Sequence, residues 1–236
     1  MMILVLESSA LVASAALVTE DKLVGEYTTN FKKTHSQTLL PMVDALLTMT
    51  GIAVEDLDAI AVSGGPGSFT GLRIGSATAK GLALALDIPI ISIPTVDGLA
   101  CNLYGTSDVI CPLMDARRSQ VYTGLYTFEG DDMVCLSRQK AVAVDDIIDE
   151  INALGSPVIF LGDGVPVFRD RIKERVSVPF RFAPVHLNAQ RAGAVGALAV
   201  KYYKQGRFQT ADEHKPDYLR LSQAEREMAE KKAQKA

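Results

Sequence analysis

A pattern that occurs twice constrains the fold of this chain more than any other feature: an apolar run that ends in an acidic residue. Residues 2–6 are followed by Glu7, and residues 109–114 are followed by Asp115, 108 positions further along. A second strand-like run follows each acidic residue, so both places are predicted to form a hairpin of buried strands. The repeat indicates two related lobes, each built on a mixed sheet flanked by helices.

The remaining pattern predicts an α/β protein with these two lobes. With 236 residues, of which 48% are hydrophobic, the chain is long enough to bury two small cores. We place the first lobe at residues 1–105 and the second at residues 106–221, and we expect the last helix to return to the first lobe. Apolar periodicity predicts two helices in the first lobe, at about residues 34–50 and 70–86.

End signals locate the last helix and separate it from the end of the chain. Asn188 is predicted to cap the N-terminus of that helix, and Gly206 is expected to stop it. Residues 222–236 are rich in Ala, Glu and Lys, and we interpret them as a solvated, charged tail.

Charge and cysteine content exclude several classes of protein. The 24 basic and 28 acidic residues give a net charge of -4, which is the wrong sign for a protein that grips nucleic acid alone. The three cysteines form no C-x-x-C pair, which argues against a disulfide framework or a structural zinc site. No uncharged apolar run approaches the ~20 residues that span a bilayer. We therefore expect a cytoplasmic protein with no membrane partner.

A glycine-rich loop follows a predicted strand and precedes a predicted helix, which is where phosphate-binding loops occur. Its sequence is SGGPGS at residues 63–68, and neither the P-loop pattern nor the dinucleotide-binding pattern matches it. The alternative is that Gly64, Gly65 and Gly67 supply positive φ angles and close packing. We favour this alternative.

The sequence also lacks other residue arrangements that catalysis would require. The first hairpin turn, residues 8–12, has no glycine and no positive charge, although turns that cradle phosphate usually need glycine. The three histidines lie far apart in the sequence, so no pair has metal-ligand spacing. Glu7 and Asp115 either act as paired carboxylates across a cleft or simply end their strands. We predict no catalytic residue, no metal site and no cofactor.

The two helices of the first lobe carry more apolar surface than one stripe requires. Between residues 74 and 86 only Lys80 is charged, so the helix is apolar nearly all round. Small residues recur at every fourth position and form a ridge on which another helix can pack closely: Gly71, Gly75, Ala79 and Ala83. Either this surplus is buried within the chain, or it forms an intermolecular helix bundle.

Three motifs together resemble those of the bacterial TsaB (YeaZ) family. They are GPGSFTGLRIG at residues 65–75, DARR at residues 115–118 and PDYLR at residues 216–220, and the resemblance spans about residues 2–221. It implies an actin-like and Hsp70-like (ASKHA) fold and a role in making N6-threonylcarbamoyladenosine at position 37 of tRNAs that read codons beginning with A. One departure is Glu7, because the family usually has Asp there.

The resemblance also implies partners. In that family this subunit is a non-catalytic scaffold, while a related protein, TsaD, carries the metal and transfers the threonylcarbamoyl group, and TsaE supplies ATPase activity. Contact with tRNA is then indirect, through the complex, and the isolated subunit is expected to be a homodimer. We expect the partner on the two helices of the first lobe, facing Leu39, Val43, Leu46, Leu47, Gly75, Ala79 and Ala83.

The competing hypothesis is an independent enzyme. An actin-like ATPase or a small-molecule kinase would use Glu7, Asp115 and the glycine-rich loops in the cleft between the lobes. Binding and turnover of ATP with magnesium by the isolated protein would favour the enzyme over the scaffold.

Overall fold

The structure is a computed structural model that describes residues 1–31 and 33–219. Ten strands in these residues form two five-stranded mixed sheets. The first sheet contains β1 (Ile3–Glu7), β2 (Ala13–Val18), β3 (Leu23–Thr29), β4 (Ala59–Gly65) and β5 (Ile90–Pro94). The second sheet contains β6 (Val109–Asp115), β7 (Gln120–Glu129), β8 (Asp132–Ala143), β9 (Val158–Leu161) and β10 (Phe180–Phe182).

Both sheets have the same connectivity. The strand order is β3-β2-β1-β4-β5 in the first sheet and, read in the matching direction, β8-β7-β6-β9-β10 in the second. In each sheet the first strand pairs antiparallel with the second and parallel with the fourth. The strands that end in Glu7 and Asp115 therefore lie at the centres of their sheets, and the predicted duplication is confirmed.

Helices cover both faces of the first sheet and pack on both faces of the second. Those in the described residues are α1 (His35–Thr50), α2 (Phe69–Leu86), α3 (Thr95–Ala100), α4 (Val144–Leu154), α5 (Gly164–Arg175) and α6 (Ala192–Lys204). Helices α1 and α2 pack on one face of the first sheet and α6 on the other. Helices α4 and α5 cover one face of the second sheet, and α3 packs on its other face.

The layers explain why the central strands are apolar without alternation. Every residue of β1, β2 and β4 is buried, as expected for strands that are covered on both faces. Strand β3 lies at the edge of the sheet and consists largely of exposed and half-buried residues. Continuous apolar runs in the sequence therefore mark the central strands of the first sheet.

The last described helix follows the second sheet in the sequence but packs on the first. Ala192, Val195 and Ala199 of α6 belong to the same core cluster as residues of β1 and β2. Gly196 lies closest to the sheet, since a Cβ there would come within 2.7 Å of Val18 Cγ1 and 3.2 Å of Val5 Cγ2. Helix α6 thus closes the second face of the first sheet.

The predicted start of this helix was wrong. Helix α6 begins at Ala192, after an extended Arg191, and Asn188 lies outside it. The side-chain oxygen of Asn188 accepts a hydrogen bond from the N–H of Gly162 (3.2 Å). The side-chain oxygen of Asn188, which local capping rules assign to the start of the helix, therefore binds the loop at Gly162 instead.

Two features predicted from the sequence lie wholly or partly outside the residues that the structure describes. The predicted charged tail at residues 222–236 lies outside the described residues, and so does Arg220 of the PDYLR motif. Within residues 1–31 and 33–219, no helix is both long and apolar enough to cross a membrane.

The surroundings of Gly196 on α6 and of Gly81 on α2 predict opposite effects for two glycine-to-alanine substitutions. Gly196→Ala should lower the free energy of unfolding by about 1–3 kcal/mol, because the new methyl group overpacks the contact with Val18. Gly81→Ala should raise it by about 0.5–1 kcal/mol, because a Cβ at Gly81 meets open space and alanine favours helix. Urea denaturation of both variants measures the difference; a stabilised Gly196→Ala protein would contradict the close approach.

Candidate functional site

Glu7 ends the central strand of the first sheet and is fully enclosed. Its side chain is 1% exposed, and Ser63 donates its hydroxyl to Oε2. The N–H and the hydroxyl of Ser9 both donate to Oε1, at 2.6 and 2.5 Å. Burial raises the pKa of Glu7, and the hydrogen bonds from Ser63 and Ser9 offset part of that rise. Both carboxyl oxygens are therefore engaged by the protein itself.

The glycine-rich loop packs directly on the first hairpin turn. The N–H of Ser68 donates to the carbonyl oxygen of Ser9 (2.7 Å), and the hydroxyl of Ser8 donates to the carbonyl oxygen of Gly71 (2.9 Å). A Cβ at Gly67 would lie 2.3 Å from Ser9 O, and one at Gly71 would lie 2.0 Å from Ser8 O. Backbone thus meets backbone at this turn, and glycine is required for that approach.

The alternative role favoured for the glycines fits these contacts. Gly65 has φ +119°, and a Cβ at Gly64 would lie 2.1 Å from the hydroxyl oxygen of Ser92. Gly67 packs on the hairpin turn, as described above. Of the three glycines, Gly65 is the one that needs a positive φ, and all three allow close packing.

The third family motif packs on the same loop. The N–H of Asp217 donates to the carbonyl oxygen of Gly64 (2.6 Å), and a Cβ at Gly65 would lie 2.2 Å from the carbonyl oxygen of Asp217. The ring of Tyr218 lies 4.6 Å from that of Phe69, and the Arg73 guanidinium lies 4.0 Å from the centre of the Phe69 ring. Two motifs about 150 residues apart in the sequence are therefore one packed unit.

Asp115 lies in the equivalent position of the second sheet but has different neighbours. Its N–H donates to Asp163 Oδ1 (3.2 Å), and its own Oδ1 accepts from the N–H of Arg117 (2.8 Å). Burial raises the pKa of Asp163, and the nearby Asp115 carboxylate adds to the rise. The hydrogen bonds of Glu7 and Asp115 go to separate partners, so the geometry gives no contact that would make them a working pair.

Backbone conformation is unusual next to Asp115. Arg117, Arg118 and Ser119 have φ angles of 64°, 55° and 57°, a region that costs energy for residues other than glycine. The Arg117 guanidinium pairs with Asp115 Oδ2 at 3.1 Å, but its side chain is 83% exposed, so this ion pair contributes little to stability. The DARR motif therefore forms an ordered turn at the end of the central strand.

The histidines are separated in space as they are in the sequence. His35 Nε2 lies 2.7 Å from the carbonyl oxygen of Ala10, and His214 Nδ1 lies 2.7 Å from Gln209 Nε2. Burial lowers the pKa of His214, with a smaller effect from Lys80. In the part of the chain that the structure describes, no three His, Cys, Asp or Glu side chains are grouped to hold a metal ion.

The small-residue ridge of α2 corrects our expectation for the partner-facing residues. Gly75, Ala79 and Ala83 are buried within the chain, and a Cβ at Gly75 would lie 2.4 Å from Ser8 Oγ and 3.4 Å from Val62 Cγ2. The ridge brings α2 close to its own sheet and hairpin turn, not to a second protein. Every-fourth spacing identifies one face of a helix, but it does not tell which neighbour packs on that face.

Helix α1 requires the same correction. Leu39, Val43 and Leu46 are at most 3% exposed and belong to the core between the helices and the first sheet. Leu47 is half-buried against that core. Six of the seven residues expected to face a partner are therefore internal.

The outer faces of the same two helices remain open. On α1, Leu40 is 55% exposed and Met49 is 74% exposed, and on α2 Leu84 is 60% exposed. Ala77 and Gly81 lie on the same side of α2 as Leu84 and are exposed. The sequence indicated this face, because both helices carry more apolar residues than the single stripe that packs on the core.

Two relatives match this chain over nearly their whole length. A family model described as "TsaD: tRNA N6-adenosine threonylcarbamoyltransferase" matches residues 22–228. The tRNA threonylcarbamoyladenosine biosynthesis protein TsaB of Bacillus subtilis (strain 168) is 35% identical over 227 residues, which are 95% of this chain and 96% of the relative. The protein of the same description from Escherichia coli (strain K12) is 31% identical over 224 residues, which are 93% and 95% of the two chains.

Solved structures show the same relationship. The structure described as "YeaZ from Pseudomonas aeruginosa" has a TM-score of 0.77 at 28% identity, covering 92% of this chain and 99% of that one. Component A of (R)-2-hydroxyglutaryl-CoA dehydratase from Acidaminococcus fermentans has a TM-score of 0.50 at 10% identity, covering 87% and 98%, a likeness in fold alone.

The two duplicated sheets place this chain in the actin-like (ASKHA) fold class. Within that class, the identity to full-length relatives decides the assignment. The chain belongs to the TsaB (YeaZ) family, whose members are named for tRNA threonylcarbamoyladenosine biosynthesis. The resemblance found in the sequence motifs is thereby confirmed.

The enclosure of Glu7 predicts a distinctive pH dependence for Glu7→Gln. Because the pKa of Glu7 is raised above 4.5 in the folded protein, the wild type loses stability as pH rises from 4.5 towards that raised pKa. Glutamine does not titrate, so the variant should gain stability relative to the wild type over this interval. Urea denaturation between pH 4 and about 8 measures the change.

Glu20→Gln is the matched control for this experiment. The hydrogen bond from Lys204 lowers the pKa of the exposed Glu20 carboxyl, so the effect of this substitution on the pH dependence falls below pH 4.5, and above pH 4.5 the variant should parallel the wild type. Parallel curves for wild type and Glu7→Gln would contradict the raised pKa of Glu7.

Proposed function

We propose that this chain is a non-catalytic subunit in the formation of N6-threonylcarbamoyladenosine at position 37 of tRNAs that read codons beginning with A. It would act by binding a catalytic partner of the TsaD type. The family supplies the biosynthetic role, and one observation supports the non-catalytic part. The glycine-rich loop packs on the hairpin turn that would hold phosphate in an active actin-like enzyme.

The closed turn disfavours nucleotide chemistry for a physical reason. Phosphate binding needs backbone N–H groups directed into open space. Here the carbonyl oxygen of Ser9 lies against Gly67 of the glycine-rich loop, and that of Ser8 lies against Gly71 in the first turn of α2. The carboxyl group of Glu7 would have to break its hydrogen bonds to Ser9 and Ser63 before it could bind a metal ion. Each broken hydrogen bond would leave a buried polar group unpaired.

The outer faces of α1 and α2 support the proposed partner site. Their exposed apolar residues include Leu40, Met49 and Leu84, and exposed apolar surface that is rimmed by polar residues is typical of protein interfaces. On this proposal the TsaD-type partner contacts these faces, and in its absence a second copy of the chain occupies them as a homodimer. A TsaE-type protein and the tRNA join through the complex.

Reconstitution tests the non-catalytic role. Modification of unmodified tRNA by TsaD and TsaE homologues, with threonylcarbamoyl-adenylate supplied, should require this chain and proceed equally with its Glu7→Gln variant. Calorimetry of the isolated chain with ATP and magnesium should show no binding. Turnover of ATP by the isolated chain, lost in Glu7→Gln, would instead establish the independent ATPase or kinase.

A pair of identical substitutions tests the partner face. Ala77→Asp places a charge on the exposed face of α2 and should weaken binding of the TsaD homologue at least ten-fold, because a carboxylate would be desolvated at the centre of the contact. Ala197→Asp makes the same change on the exposed side of α6, on the opposite face of the first sheet, and should leave binding unchanged. Titration calorimetry measures both; equal affinities for the two variants would place the partner elsewhere.

A further inference from the structure

A cavity of about 530 Å³ lies at the C-terminal end of α2. Three segments line it: the last turns of α2, the link into β5, and the stretch that follows α6. Its lining residues are Ala83, Leu84, Asp87, Ile88, Pro89, Phe208, Gln209, Thr210, Ala211, Asp212 and Glu213. The volume lies in the range of about 300–1,000 Å³ that is usual for ligand pockets.

Regular contacts hold the walls of this cavity in place. Gln209 exchanges two backbone hydrogen bonds with Ile90 of β5, at 2.8 and 2.9 Å. The ring of Phe208 lies 5.5 Å from that of Tyr203. Thr210 donates its N–H and its hydroxyl to Glu213 Oε2, at 2.9 and 3.0 Å. These contacts connect the stretch that follows α6 to β5 and to α6, and so fix two walls of the cavity.

The lining combines apolar walls with uncompensated negative charge. Asp87, Asp212 and Glu213 are acidic, and no basic residue contributes to the lining. Within residues 1–31 and 33–219, the carboxylates of Asp87 and Asp212 form no hydrogen bond and no ion pair.

Two of the basic side chains near the lining in the sequence are engaged elsewhere, and the exposed Lys215, two residues after Glu213, forms no ion pair with any residue in 1–31 and 33–219. Lys80 donates to the carbonyl oxygen of His214 (3.2 Å), and the Arg207 guanidinium lies 3.5 Å from the centre of the Tyr202 ring. A side chain with an apolar stem and a cationic head complements a lining of this kind.

The cavity is continuous with the exposed face of α2. Leu84 lines it and is also 60% exposed. Ala77, Gly81 and Leu84 are spaced by four and three residues, so they share one side of the helix. A protein that lies along this side of α2 therefore reaches the mouth of the cavity.

We propose that this cavity receives an arginine or lysine side chain of the same TsaD-type partner that lies on the outer face of α2. The stem of that side chain packs between Leu84 and Phe208, and its charged head lies against Asp87 and Asp212. This inference rests on the proposed function, and it adds a second, electrostatic anchor to an otherwise apolar contact. Such an anchor fixes the register of the partner along α2.

The test is a double substitution, Asp87→Asn with Asp212→Asn. Both changes preserve side-chain shape, and asparagine tolerates the left-handed backbone of Asp87 (φ 54°). Titration calorimetry against the TsaD homologue should show affinity reduced at least ten-fold, with a weaker dependence on salt concentration. The control is Asp21→Asn with Asp170→Asn, which removes the same charge from exposed positions outside the cavity and should bind as the wild type does.

The outcomes separate this inference from the proposed function. If Ala77→Asp weakens binding while the cavity variant binds like the wild type at every salt concentration, the cavity proposal is wrong and the partner face on α2 stands. If Ala77→Asp also has no effect, the partner face itself is wrong. If the cavity variant changes only the self-association of the isolated chain in sedimentation, the occupant is a second copy, and the proposal is likewise overturned.

Discussion

The backbone contact between the glycine-rich loop and the first hairpin turn organises the first lobe. Ser8 and Ser9 direct their carbonyl oxygens at Gly71 and Gly67, at distances that leave no room for a side chain. This contact sets the start of α2, and the hydrogen bonds from Ser9 and Ser63 around Glu7 lie directly beneath it. The segment at Asp217 and Tyr218 then packs on the outside of the same loop.

The two sheets share one topology, but the acidic residues that end their central strands have different surroundings. In the first lobe the acidic residue at the end of the central strand is enclosed by hydroxyl groups, whereas Asp115 in the second lobe meets Asp163 and an exposed arginine turn. Identical topology therefore supports two different local chemistries, since the turns that follow the central strands decide what surrounds each carboxyl group. Fold alone does not assign an activity to such a protein.

Some features of this fold follow from local sequence patterns, whereas others depend on which segment packs against a given face. Duplicated strands were predictable, because buried strands covered on both faces read as continuous apolar runs. The orientation of the α2 ridge was not, because Gly75, Ala79 and Ala83 fit a neighbouring helix or a neighbouring sheet equally well. Asn188 could likewise bind the N-terminus of the last helix or another segment, and in the structure it accepts a hydrogen bond from Gly162.

The sequence by itself determined the order of the elements, the repeat that makes two lobes and the family motifs, because periodicity and turn residues act over short stretches of chain. Tertiary structure alone decided that Gly65 meets Asp217, that α6 covers the first sheet, and which side of α2 stays open. These features depend on distances between segments that are remote along the chain. Side-chain volume and backbone approach set such distances only when the whole core is assembled.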